Sequence, residues 1–168
     1  MLHSRVKELL SFLKDNPDIR WQIKAPPDRT ILYAGGFFRP MWQEIERKRR
    51  SDAQLRSKVL LQDVLRDIPT PSHSNLLSWV QELDRLEPWD QHGFVAWRAL
   101  SGIFASNAVG KVSFWIGDPI DQTKVFAATE LAVLARNPKI DPVTKDLVAY
   151  YQRCLTSRQS QINFGFTA

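Results

Sequence analysis

The sequence predicts a helix-dominated α+β fold of about seven helices with a small antiparallel sheet that includes an N-terminal β-hairpin. Two patterns carry this expectation. Apolar residues recur at helical spacing through most of the chain, whereas Ile19–Ile23, Lys111–Ile116 and Ile162–Phe166 alternate at every second residue. Pro- and Gly-containing turns separate these stretches, and none is long enough for a domain linker, so residues 1–168 read as one globular domain. At 168 residues such a chain can bury about 70% of its unfolded surface.

The first helix is read from Leu2, Val6, Leu9, Leu10 and Leu13, with Asn16-Pro17 as its stop. Ile19, Trp21 and Ile23 alternate with Arg20, Gln22 and Lys24, which reads as a strand with Trp21 in the core. Pro26-Pro27-Asp28 then turns the chain into Thr30-Ile31-Leu32-Tyr33, completing the hairpin. Gly35-Gly36 ends that strand. Pro40 opens a helix whose buried side carries Met41, Trp42 and Ile45. Ser51-Asp52-Ala53-Gln54 has the form of a capping box, so a helix is expected from Ser51 through Leu61, Val64, Leu65 and Ile68 to Pro69.

After the loop Pro69–Ser74, Leu76, Trp79, Val80, Leu83 and Leu86 mark an amphipathic helix that Pro88 closes. Asp90 can cap the next, in which Phe94, Trp97, Leu100 and Phe104 share a side and Ala96, Ala99, Gly102 and Ala105 permit close approach. Val112, Phe114 and Ile116 predict a third strand before the turn at Gly117-Asp118-Pro119. A helix from Asp121 to Arg136 follows. Asp141-Pro142 caps the last helix, whose stripe reads Val143, Leu147, Tyr150, Tyr151 and Cys154, and Ile162, Phe164 and Phe166 suit an edge strand.

Composition narrows the function. A hydrophobic share of 43% and a charged share of 24% are ordinary globular values. One cysteine, Cys154, rules out an internal disulfide, and with three histidines it leaves no Cys/His set for structural zinc. A reducing, intracellular and cytoplasmic setting is therefore expected. Charges interrupt the first helix as they would not a signal peptide, and no apolar window has the length of a membrane span. No cofactor is expected.

The charge is regional: residues 1–68 carry 14 Lys and Arg against 9 Asp and Glu, and residues 69–168 carry 9 against 9. Arg47-Lys48-Arg49-Arg50 is the only run of four like charges, and such a region meets phosphates, acidic proteins or anionic membranes. Four successive helical residues sweep most of the circumference and cannot all face one ligand. Glu44–Lys48 and Glu46–Arg50 are expected i, i+4 pairs, and cations at a helix C-terminus also complement its dipole. That leaves Arg47 and Arg49 as candidate phosphate contacts, extended by Arg20, Lys24, Arg29 and Arg39 from the hairpin and its exit. Trp21, Tyr33, Phe37, Phe38 and Trp42 are interleaved with them, as in single-strand binders, although Trp21 and Trp42 also suit a core.

Other arrangements are weaker. Ala34–Pro40 runs from a strand into a helix start that can hold an anion, but matches no nucleotide-binding glycine pattern. Glu87, Asp90 and His92 could orient an imidazole, yet capping explains them; His3 and His73 have no evident partners, and Cys154 sits in an apolar stripe. Asp118 and Asp121 lack a third carboxylate for a metal. The Trp42…Glu46 spacing carries no weight among six tryptophans.

Three classes follow. The first is a non-enzymatic protein that binds nucleic acid, RNA or DNA, or belongs to a nucleic-acid-associated assembly. The second is an interaction or assembly subunit that meets a protein partner or itself, without nucleic acid. The third is a small enzyme whose site is assembled from residues distant in sequence.

Overall fold

The N-terminal helix follows its apolar stripe. In the computed structural model, which describes residues 4–34, 41–86, 94–117, 126–156 and 165–167, helix α1 (Ser4–Asp15) buries Val6, Leu9 and Leu13. The next segment departs from expectation. Residues read as the hairpin's first strand form a second short helix, α2 (Pro17–Gln22), with Pro17 at its start, where a missing N–H leaves no bond unmade. Ile19 and Ile23 lie four apart and both join the core, while Trp21, half a turn away, is 59% exposed.

Strand β1 (Thr30–Ala34) pairs in parallel with β2 (Val112–Ile116), in a register from Thr30↔Val112 to Ala34↔Ile116. The three-residue β3 (Gly165–Thr167) lies antiparallel along the other side of β2. The helix-rich α+β class therefore stands, but the antiparallel sheet with its N-terminal β-hairpin does not, because the sheet is built on a parallel pair. Burial explains it. On β1, Leu32 and Ala34 face the large core, whereas Ile31 joins a second cluster with Ile45, Leu55 and Leu60. A strand covered on both faces reads as a continuous apolar run, the sign of parallel pairing.

A parallel pair needs a long crossover, and here it holds α3 (Met41–Lys48), α4 (Ala53–Arg56), α5 (Leu61–Arg66), α6 (Leu76–Leu86) and α7 (Phe94–Ser106). The single helix expected from Ser51 is two. Its cap is Asp52 and not Ser51: Asp52 Oδ1 accepts from the Gln54 and Leu55 amides at 2.9 and 3.3 Å. Between α4 and α5 the chain extends beside β1, with the Val59 amide donating to Arg29 O at 2.7 Å and the Ile31 amide donating to Val59 O at 3.2 Å. Ladder bonds to Arg29 and Ile31 outweigh continuation of the helix.

The expected α6 and α7 are present, and α7 buries Ala96, Leu100, Phe104 and Ala105. A π-helical turn, Phe126–Glu130, leads into α8 (Leu131–Arg136), and α9 (Pro142–Thr156) follows. Nine helices thus stand among the described residues. Asp141 caps α9 as expected, its Oδ1 accepting the Thr144 amide at 2.7 Å. The stripe of α9 is shifted, however: Val143 is 61% exposed, and Thr144, Val148, Tyr151 and Cys154 are buried. Thr144 holds the inner position because its Oγ1 accepts the Val112 amide at 3.0 Å, docking α9 on the start of β2. Phe114, Phe126 and Tyr151 meet edge-on, with centroids 5.3 to 6.2 Å apart. Among the described residues, no helix is long and apolar enough to cross a membrane.

Candidate nucleic-acid interface

The basic run that dominates the sequence is largely engaged by its own fold. Arg47 is exposed but donates two bonds to Glu44, at 2.7 and 3.2 Å. Arg49 grips Asp63 through both terminal nitrogens, at 3.1 and 2.7 Å, and donates to Lys58 O at 2.8 Å. Asp63 also accepts the Leu60 amide at 2.8 Å, so this pair fastens the end of α3 to the start of α5. The expected Glu44–Lys48 and Glu46–Arg50 pairs do not form: Glu46 takes Arg66 at 3.3 Å, and the Lys48 ammonium lies 4.8 Å from the centre of the Trp115 ring. Arg50 is exposed and makes no side-chain hydrogen bond or ion pair among the described residues.

Removing one partner of a partly buried pair leaves the other uncompensated. Arg49→Ala is therefore expected to lower stability by roughly 1–3 kcal/mol, and Arg47→Ala to leave the urea midpoint unchanged. Equal midpoints for the two variants would show that Arg49 is not the fastener.

A second set of cations gathers at the amino-terminal ends of the two parallel strands. Asp28 and Arg29 precede β1, Lys111 precedes β2, and Lys58 lies beside Val59, which bridges to Thr30. Arg29 Nε donates to Ser57 O at 2.6 Å, the Lys58 ammonium donates to Asp28 O at 3.1 Å, and the Lys111 amide donates to Asp28 Oδ1 at 2.7 Å. Burial, then the nearby charge of Lys111 and, more weakly, that of Arg29, hold the Lys58 pKa below the usual lysine value, against the opposing pull of Asp28. Among these four residues three cations, Arg29, Lys58 and Lys111, stand against one carboxylate, Asp28.

The same end receives α2 and the turn after α8. Asn107, just past α7, donates to Arg20 O and Ile23 O at 2.9 and 3.0 Å and so holds the end of α2. Buried Asn137 donates to Ala105 O and Ala108 O at 3.0 and 2.9 Å, while its Oδ1 accepts the Lys139 amide at 2.9 Å. The Gly110 amide donates to Lys139 O at 2.8 Å, tying that turn to the approach to β2. Trp21 is thereby flanked by the Lys24 and Lys139 ammonium groups, 4.3 and 5.8 Å from its ring centre. Arg20, Lys24 and Lys139 are all exposed.

Of the cations singled out from the sequence, the fold brings Arg20, Lys24 and Arg29 to one end of the molecule, places Arg47 and Arg49 on carboxylates, and Arg39 lies outside the described residues. Lys58, Lys111 and Lys139 were not singled out; they lie far in sequence from Arg20–Arg29, and the Val59–Thr30 bridge, the β1–β2 pairing and the Gly110–Ile140 bridge place them beside it. Exposed Trp21 was expected in the core. Gly35, Gly36, Pro40, Glu87, Asp90, His92, Asp118, Asp121 and His3 also lie outside the described residues.

His73 does have partners: Ser72 Oγ lies 2.8 Å from its Nδ1, Glu82 meets its Nε2, and its ring stacks on Trp79. Among the described residues no group of three or more His, Cys, Asp or Glu could hold a metal ion, and Cys154 is buried. The chain matches no protein family, no curated protein and no solved structure.

Proposed function

We propose that this chain is a non-enzymatic nucleic-acid-binding protein, or part of a nucleic-acid-associated assembly, in a reducing intracellular setting. Arg20, Lys24 and Arg29, joined by Lys58, Lys111 and Lys139, contact phosphates in it. The convergence of cations from four separate chain segments on the amino-terminal ends of β1 and β2 carries this reading. Those segments include three carboxylates, Asp18, Asp28 and Asp141, and Asp28 and Asp141 are bonded to backbone amides. Burial is the main cause that lowers the Lys58 pKa, and a polyanion would relieve the lesser one, the repulsion from Lys111 and Arg29. Phosphate contacts of this kind position a nucleic acid without reading its sequence.

Binding of a generic oligonucleotide is expected to weaken steeply between about 50 and 200 mM salt. Each phosphate contact to a single strand contributes about 0.7 to the logarithmic salt slope, so Arg20→Ala/Lys24→Ala/Lys139→Ala should flatten it by about 2 with melting unchanged. An unchanged slope would refute the assigned surface. A stable complex that resists nuclease, with no oligonucleotide binding, would instead favour a protein partner, for which exposed Trp21 is a suitable anchor.

A further inference from the structure

Resting on the phosphate-binding reading above, we propose that the nucleic acid is single-stranded and that Trp21 is the platform on which one unpaired base stacks. Three exposed large apolar side chains stand among the described residues, Trp21, Leu86 and Val143. Trp21 is the aromatic one of the three, and Lys24 and Lys139 stand against its ring. Its indole is 59% exposed, at the end of a six-residue helix held by Asn107, so the ring is presented from a fixed backbone.

The surroundings of the ring fit a nucleotide better than an apolar protein surface. Lys24 and Lys139 place their ammonium groups 4.3 and 5.8 Å from the ring centre, and Arg20 is the next residue in the chain. An apolar partner would have to desolvate or displace these charges, whereas a base on the ring carries its phosphates toward them. Both lysines are exposed, long and held by no ion pair among the described residues, so they can swing off the ring face as the base arrives. A cation over an exposed ring is held less strongly than a base stacked on it, so the exchange favours the base.

The helix that bears Trp21 does not suit the common duplex mode. At six residues, α2 is too short to lie in a major groove and reach several base pairs. In a duplex the base faces are covered by their neighbours, and Trp21 would have nothing to stack on. The cation set alone would bind either form, so preference for single strands is the property that Trp21 adds.

The test uses fluorescence anisotropy of the full chain with labelled oligothymidylate and oligouridylate of about 16 nucleotides, and with a duplex of the same length. Trp21→Ala is expected to weaken binding to both single strands roughly tenfold, and Trp21→Phe, which keeps a stacking ring, by less than about threefold. Neither should alter duplex binding. Equal loss on duplex and single strand, or no loss on single strands, would overturn stacking while the phosphate reading stands, provided the triple alanine variant still flattens the salt slope. A wild-type chain that binds none of the oligonucleotides overturns both. Because Trp21 is exposed, unchanged melting of both variants is part of the expected result.

Discussion

Gly110→Ala is expected to lower the melting temperature by about 10 °C and to weaken the basic end of the molecule with it. Gly110 has φ +74°, a left-handed conformation that costs other residues about 1–2 kcal/mol. A Cβ there would lie 2.1 Å from Asp28 Oδ1 and 3.0 Å from Asp28 Cγ, so Asp28 would have to move. Asp28 cannot move freely. It has φ 64°, its amide donates to Val109 O at 3.0 Å, its Oδ1 accepts the Lys111 amide, and its carbonyl holds Lys58. Gly110 itself bonds on both sides, to Lys139 O and from the Asp141 amide, at 2.8 and 2.9 Å.

Adding the clash to the backbone strain gives a loss of about 3 kcal/mol or more. A double-mutant cycle separates the two causes. Asp28→Gly removes the obstructing carboxylate and tolerates the positive φ, so the double variant should melt well above the sum of the single losses. Strict additivity would mean that the side chain of Asp28 is not what Gly110 avoids.

Glu130 gives the second large effect, a loss of stability as pH rises. It closes the π-helical turn and is 7% exposed, and burial pushes its carboxyl up to about 8 against the opposing Ser101 hydrogen bond. The folded state therefore holds the proton more tightly than the unfolded chain, where the value is 4.5. Below that value the acid is neutral in both states and has no effect. Stability falls as pH rises through the interval up to about 8, and above it the buried carboxylate carries its full cost, on the order of a few kcal/mol. Glu130→Gln should melt near the wild type at about pH 4.5 and well above it at about pH 9, flattening the profile. Parallel profiles for the two proteins would show that Glu130 does not titrate in the interior.

Much of the fold was legible because burial imposes a period on the sequence. Leu76, Trp79, Val80 and Leu83 identify α6, Asp141-Pro142 places the start of α9, and Val112, Phe114 and Ile116 mark β2. The misreadings arise where two periods coincide. Ile19 and Ile23 are compatible with a strand of period two and with a helix turning every 3.6 residues, and Pro17 at the first helical position decides for the helix. Trp21 moved from the core to the surface with that change.

Val59 was hidden for a different reason. Its backbone bonds to Arg29 and Ile31 are tertiary, and nothing in residues 51–68 signals the break in the helix that they require. The candidate site was half legible on the same grounds. Arg20, Lys24 and Arg29 share a short stretch of sequence, but Lys58 joins them through the Val59–Thr30 bridge, and Lys111 and Lys139 through the parallel β1–β2 pairing and the Gly110–Ile140 bridge. The conspicuous run at Arg47–Arg50 drew attention for its density. Arg47 pairs with Glu44 on the exposed face of its own helix, whereas Arg49 fastens the end of α3 to the start of α5 through Asp63.

The most direct test sets these two basic regions against each other on the same oligonucleotide. Affinity is measured from about 50 to 200 mM salt for the wild type, for Arg20→Ala/Lys24→Ala/Lys139→Ala, and for Arg47→Ala/Arg50→Ala. The predicted result is a slope flatter by about 2 in the first variant and unchanged in the second. A slope that flattens only in the second variant, or in neither, would contradict the assignment of phosphate binding to the amino-terminal ends of β1 and β2.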